Sequence, residues 1–152
     1  MIDANVLVAA MNQRDKHHTR MRDLLNSRSD PFVVTPYVVT YLLQKFAGAR
    51  AEIQFMETVG DGHYRQEGIT PQDTQRIVEL MRQFRDFPLG AADASVIAVA
   101  ERLRIREIAT IDDHFRAVRP RGIDYFTLPP WVPCVPITSS VQVTPDQGLR
   151  GR

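Results

Sequence analysis

Short β-branched runs alternate with helical patterns along most of this chain, and that alternation limits its architecture more than any other feature. Phe32 to Thr35 reads as a short buried strand, and Glu107 to Thr110 and Tyr125 to Leu128 as two further strands. Met1 to Asp3 reads as the end of a truncated first strand, and His63 to Gln66 as another. Helical stretches lie between them. Asn5 to Met11 gives one; residues 17–27 give a second, with Met21, Leu24 and Leu25 as its apolar stripe. Pro36 suits a first helical turn, where its missing N–H costs nothing. The apolar face then runs through Val38, Val39, Leu42, Leu43 and Phe46 to Gly48. Residues 50–59 form the next helix, stopped by Gly60-Asp61-Gly62. Thr70, Pro71 and Asp73 spell a helix start, an N-cap followed by proline. Its expected buried stripe is Ile77, Leu80, Met81 and Phe84, and Pro88 ends it. Leu89 to Leu103 is a helix of Ala, Val and Ile at helical spacing. Such alternation calls for an α/β fold: a central, mainly parallel sheet with helices on both faces.

At 152 residues, 43% of them apolar, the chain can bury the core of one domain. That domain is expected over residues 1–128. Residues 129–152 form a proline-rich tail (Pro129, Pro130, Pro133, Pro136, Pro145), expected to be partly extended or disordered, with Trp131 as an anchor. The lone Cys134 excludes an internal disulfide and suits a reducing compartment. No window offers the ~20 apolar residues of a membrane span. The N-terminus lacks the basic start of a signal peptide, so a cytoplasmic protein is expected.

A net charge of +1 gives no global basic field. Of the 19 basic residues only Lys16 and Lys45 are lysine. Arginine's planar fork suits phosphate oxygens. The arginines cluster early (Arg14, Arg20, Arg22, beside Lys16) and late (Arg102, Arg104, Arg106, Arg116, Arg119, Arg121). Solvated helix faces explain such clusters equally well.

Ligands of open parallel sheets bind outside the carboxyl ends of the strands. Asp3 follows the first strand, Asp112 follows the strand ending Ile108-Ala109-Thr110, and Asp93 opens the helix at 89–103. Each acid alone has an ordinary explanation as a cap or a helix-dipole partner. Together they fall at one edge, each beside a small polar residue: Asn5, Ser95 and Thr110. Gathered carboxylates repel and raise one another's pKa, which a cation relieves. All-oxygen ligation suits Mg²⁺ or Mn²⁺, ions that polarise phosphoryl oxygens. His17, His18 and His114 have no spacing that pairs them with an acid and read as surface or packing residues.

The segments IDANVLVA, PLGAADASVIAVAERL and IATIDDHFRAVRP, in this order, resemble the PIN domain, and most closely bacterial VapC-type toxins of toxin–antitoxin pairs. The resemblance runs from Met1 to about Leu128 and implies an α/β/α sandwich. It implies a Mg²⁺- or Mn²⁺-dependent endoribonuclease cutting structured RNA such as tRNA or rRNA, a homodimer, and a small antitoxin that blocks the cleft. It carries the family's metal ligands onto Asp3, Asp93 and Asp112, with Asp113 beside them, and its polar partners onto Asn5 and Thr110.

One position departs. The family has a glutamate in the helix after the second strand, and here the matching VVTY puts Tyr41 there. A tyrosine carries no charge at neutral pH, its unperturbed pKa being about 10. Asp113 would take over, or Gln44 would lend a neutral oxygen, or the domain would act by binding alone. A receiver or phosphatase domain on a similar sheet is disfavoured, because position 5 is Asn5 and no late lysine exists.

Overall fold

The computed structural model describes residues 1–45, 49–87 and 89–128. The tail expected at 129–152, and the expected roles of Phe46, Gly48 and Pro88, lie outside these residues.

Helix α1 spans Ala4–Met11 and α2 His18–Asn26. Strand β1 is Phe32–Val34, followed directly by α3 at Pro36–Lys45. Helix α4 is Ala49–Gly60, β2 is Tyr64–Gln66, and α5 is Pro71–Gln83. Helix α6 spans Ala91–Leu103 and α7 is the short His114–Ala117.

The sheet is parallel and narrow. β1 and β2 pair in parallel, with Val33 opposite Arg65. Ile2 N–H donates to Val33 O at 3.0 Å, setting residues 1–3 beside β1. On their far side, Ile2 bridges Ala109 in parallel, and Glu107 bridges Thr127. The expected strands at 1–3, 107–110 and 125–128 are therefore present as extended neighbours joined by single bridges. They are too brief to build full ladders.

Helix starts follow local chemistry. Thr70 Oγ1 accepts from Asp73 N–H at 3.1 Å and Asp73 Oδ2 accepts from Thr70 N–H at 2.9 Å, a capping box with Pro71 at the first position. Helix α6 is enclosed from Ala94 to Glu101, as expected of a helix apolar on most sides. It ends at Arg104, whose φ of 57° places a non-glycine residue in the left-handed region. The Arg104 guanidinium fastens that turn by donating to Gly122 O. The stripe of α5 is narrower than its sequence suggests. Ile77 and Leu80 are buried, but Met81 is 40% exposed and faces outward.

Helices α5 and α6 are joined by charge. Arg76 reaches Glu101 through Nε at 2.8 Å and Nη2 at 3.0 Å, and Glu101 is buried. Helices α3 and α6 meet through paired hydroxyls, Thr35 Oγ1 and Ser95 Oγ, 2.7 Å apart. These contacts set the carboxyl edge of β1, the first turn of α6 and the start of α1 side by side. Among the described residues no helix is long and apolar enough to cross a membrane.

Candidate active site

Asp3 stands where residues 1–3 turn into α1, and it is fully buried. Its Oδ2 accepts from the Thr110 hydroxyl at 2.9 Å. Its Oδ1 is buried without a hydrogen-bond partner among the described residues. An ionised oxygen in that position loses water and has no donor in full hydrogen-bonding geometry to replace it, although the amides of Ala4 and Asn5 lie near the carboxyl. Burial is the main cause that pushes the Asp3 carboxyl up to about 7, and the Asp93 charge adds to it. The Thr110 hydroxyl and the amides of Ala4 and Asn5 offset part of this.

Thr110 is a relay. The oxygen that donates to Asp3 accepts the N–H of Asp112 at 2.9 Å. Asp112 Oδ1 accepts the N–H of His114 at 2.9 Å. The His114 ring doubles back, its Nδ1 2.7 Å from the same oxygen, close but not aligned as a hydrogen bond. The edge of that ring meets Phe87 at 4.3 Å between centroids.

Asp93 lies in the first turn of α6, and its Oδ2 accepts the N–H of Gly90 at 3.0 Å. Its carboxyl is raised, first by burial and then by the Asp112 charge, while Gly90 N–H and His114 pull the other way. The three acids are thus coupled in series, Asp3 to Asp93 and Asp93 to Asp112.

A cleft of about 580 Å³ opens above them. Asp93, Asp112 and His114 line it together with Tyr37, Tyr41 and Gln44 of α3. Asp3 does not reach the cleft surface, but the next two residues, Ala4 and Asn5, do. Asp3, Asp93, Asp112, Asn5 and Thr110 are therefore brought together as the sequence implies.

Others are not. The Asp113 side chain is 91% exposed and pairs with Arg116 at 3.0 Å. It lines a second depression with His17, Thr110 and Asp112, and not the cleft. Ser95 belongs to Thr35 rather than to Asp93. The late arginines are largely occupied. Arg102 is held by Asp73 and Glu67, Arg106 by Asp124, and Arg121 by Glu79. Arg102 also lies roughly 13 Å along α6 from Asp93 at the ordinary helical rise. His114, read from sequence as a packing residue, lines the cleft. Its only sequence signal is its place two residues after Asp112, which lets its N–H close a turn on that carboxylate.

Among the described residues, no three His, Cys, Asp or Glu side chains stand close enough together to hold an ion between them. The donor chemistry nonetheless fits a hard divalent cation. A buried carboxylate oxygen lacks any partner, its neighbours are carboxylates, and the cleft adds the side-chain oxygens of Asn5 and Gln44. Asp3, Asp93 and Asp112 are the residues that would hold it.

Residues 1–119 match the PIN domain. The chain belongs to the PIN-domain family. Within this family it is 30% identical over 134 residues to Ribonuclease VapC26 of Mycobacterium tuberculosis, covering 86% of this chain and 99% of that protein. The PIN fold is also shared with the crystal structure of Mycobacterium tuberculosis VapC20, described as a Sarcin-Ricin loop cleaving toxin. That match has a TM-score of 0.68 at 19% identity and covers 76% of this chain and 92% of that one. FitAcB from Neisseria gonorrhoeae matches with a TM-score of 0.52 at 17% identity, covering 74% and 86%.

Proposed function

We propose that this chain is a Mg²⁺- or Mn²⁺-dependent endoribonuclease, the toxin of a type II toxin–antitoxin pair, acting on structured RNA of the tRNA or rRNA class. The observation that carries the reading is the orphaned Asp3 oxygen beneath a cleft lined by Asp93 and Asp112. The identity to a protein named a ribonuclease, across nearly its whole length, supports it. When bound, the cation would polarise a phosphoryl oxygen and offset charge on the phosphate. Asp3, Asp93 and Asp112 would hold it, Thr110 would fix the Asp3 carboxylate, and Asn5 would orient an attacking water. Exposed Arg14 and Lys16, in the turn leading to His17, would offer charge to RNA phosphates, whereas several late arginines are held in ion pairs. A cognate antitoxin and a second copy of the chain are the proposed protein partners, in the cytoplasm. Ile53 and Met56 on α4, 57% and 45% exposed, support such contacts.

The deciding experiment is a Mg²⁺ and Mn²⁺ titration with total RNA, beside Asp93→Asn. Metal-dependent cleavage lost in the variant is the expected result. Equal cleavage by both proteins would remove Asp93 from the mechanism. A second reading, a catalytically impaired module that binds RNA or an antitoxin-like partner, is favoured by Tyr41 at the glutamate position. RNA binding without cleavage under either ion would establish it.

A further inference from the structure

We infer that α3 is a nucleobase-stacking wall for the substrate, with Tyr37 and Tyr41 as its platforms. The inference rests on the ribonuclease reading and names a part of the RNA that this cleft takes. Tyr37, Thr40, Tyr41 and Gln44 recur at helical spacing, and all line the cleft. The opposite stripe of the helix, Val38, Val39 and Leu42, is buried. The helix cannot roll without exposing that stripe, so the tyrosines are held facing the cleft. The helix start is also fixed, because Thr35 Oγ1 meets Val38 N–H at 3.3 Å as well as Ser95.

Tyr37 is 41% exposed and Tyr41 36%, large rings left open on an uncharged face. Lys45 Nζ lies 5.2 Å from the Tyr41 ring centroid, a cation–π contact that steadies the ring and places a positive charge beside it. Asp93 and Asp112 line the same cleft, beside the small residues Gly90, Ala91 and Ala92. A nucleotide matches that arrangement. Its base is a flat ring for the tyrosines, and its phosphate would lie toward Asp93 and Asp112 only with a bound cation to offset their charge. Stacking on tyrosine is tolerant of sequence, because every base has a π-face. It requires a base whose face is free, and bases within a duplex are already stacked on their neighbours. Gln44, at the end of the stripe, offers an amide donor and acceptor to a base edge. The substrate feature is therefore an unpaired nucleotide beside the cut, in a loop, bulge or single strand.

The test uses the full chain in EDTA, so that binding is read without cleavage. The probes are a short single-stranded RNA carrying 2-aminopurine and the same sequence as a duplex. The single strand is expected to bind with quenching of the 2-aminopurine. Tyr41→Ala is expected to weaken it on the order of 10-fold, and Tyr37→Ala less. Tyr41→Phe keeps the ring and is expected to bind like the parent. Duplex binding should not change in any variant. Equal binding by Tyr41→Ala and the parent overturns the inference. So does an equal loss in Phe and Ala, which would assign the effect to the hydroxyl, or an equal loss on duplex. Thermal melts of each variant separate these from misfolding. Stacking without metal-dependent cleavage would sink the nuclease reading and leave this wall standing. Cleavage with unchanged affinity in Tyr41→Ala would do the reverse.

Discussion

Thr35 and Ser95 meet hydroxyl to hydroxyl at 2.7 Å, fully buried, and fasten the start of α3 to α6 below the cleft. Tyr37 and Tyr41 on α3 and Asp93 on α6 line the cleft, so this contact helps set the distance between them. Ser95 Oγ also lies 2.6 Å from Ala92 O, which it reaches as a donor.

Ser95→Ala should therefore act on stability before chemistry. The variant strips the Thr35 hydroxyl of one partner in a dry place, at a cost of about 1 to 2 kcal/mol. Urea denaturation should show a lower midpoint with an unchanged slope. Metal-dependent cleavage by the folded protein should persist, unlike in Asp93→Asn. Complete loss of cleavage with unaltered stability would return Ser95 to the role of a partner of Asp93.

The alternation of strand and helix was legible in the sequence because each helix writes its own start and its own buried stripe, as at Thr70-Pro71-Asp73. Single bridges in place of full strands were not, since Ile2 and Thr127 look like any buried β residue whatever length of ladder they join. The acids could be placed at one edge because that edge follows from topology alone. Asp113 could not be told from Asp112. Adjacent residues in a turn point apart, and only the turn closed by His114 on Asp112 decides which faces the cleft. The ion pairs that occupy Arg102 and Arg121 join residues far apart in the chain, so composition marked them as candidates for RNA.

Asp3 predicts an unusual pH dependence. With a folded pKa of about 7 against an ordinary 3.8, the folded chain keeps a proton that the unfolded chain gives up. Below the unfolded value both states are protonated and there is no penalty. As pH rises from there towards 7, the unfolded state binds fewer protons, so this group's contribution to stability falls, then levels off. Asp3→Asn should nearly match the parent near pH 4 and exceed it at pH 8 by on the order of 4 kcal/mol. Mg²⁺ at pH 8 should raise the melting temperature of the parent and not that of the variant, because an ion that binds only the folded state stabilises it. A parent and variant that melt together at both pH values would mean that Asp3 is not strained by burial.

Arg76 and Glu101 form a pair that will not tolerate the loss of one member. Glu101 is buried and also accepts the Arg121 N–H at 2.9 Å. Glu101→Ala leaves the Arg76 guanidinium without its nearest anion, at a cost of about 3 to 5 kcal/mol. The double variant Arg76→Met, Glu101→Leu should recover most of that. Chemical denaturation of the two variants decides the matter, and a double variant no better than the single one would show that the pair does more than balance its own burial.

Tyr41→Glu is the most informative single change at the cleft. Tyr41 lines the same cavity as Asp93 and Asp112. A carboxylate there adds a hard oxygen and a negative charge to a site that cannot now gather three acids around an ion. Calorimetric titration with Mn²⁺ should show tighter binding than in the parent, by on the order of 10-fold for one added charged ligand in a partly solvated site. The same variant loses the ring, so its binding of single-stranded RNA in EDTA should weaken as in Tyr41→Ala, with added repulsion of phosphate. The two effects have opposite signs and separate readouts. Tighter metal binding with weaker RNA binding would mean that this chain has exchanged a ligand for a stacking surface at one position. Unchanged metal affinity would mean that position 41 does not reach the site proposed at Asp3, Asp93 and Asp112.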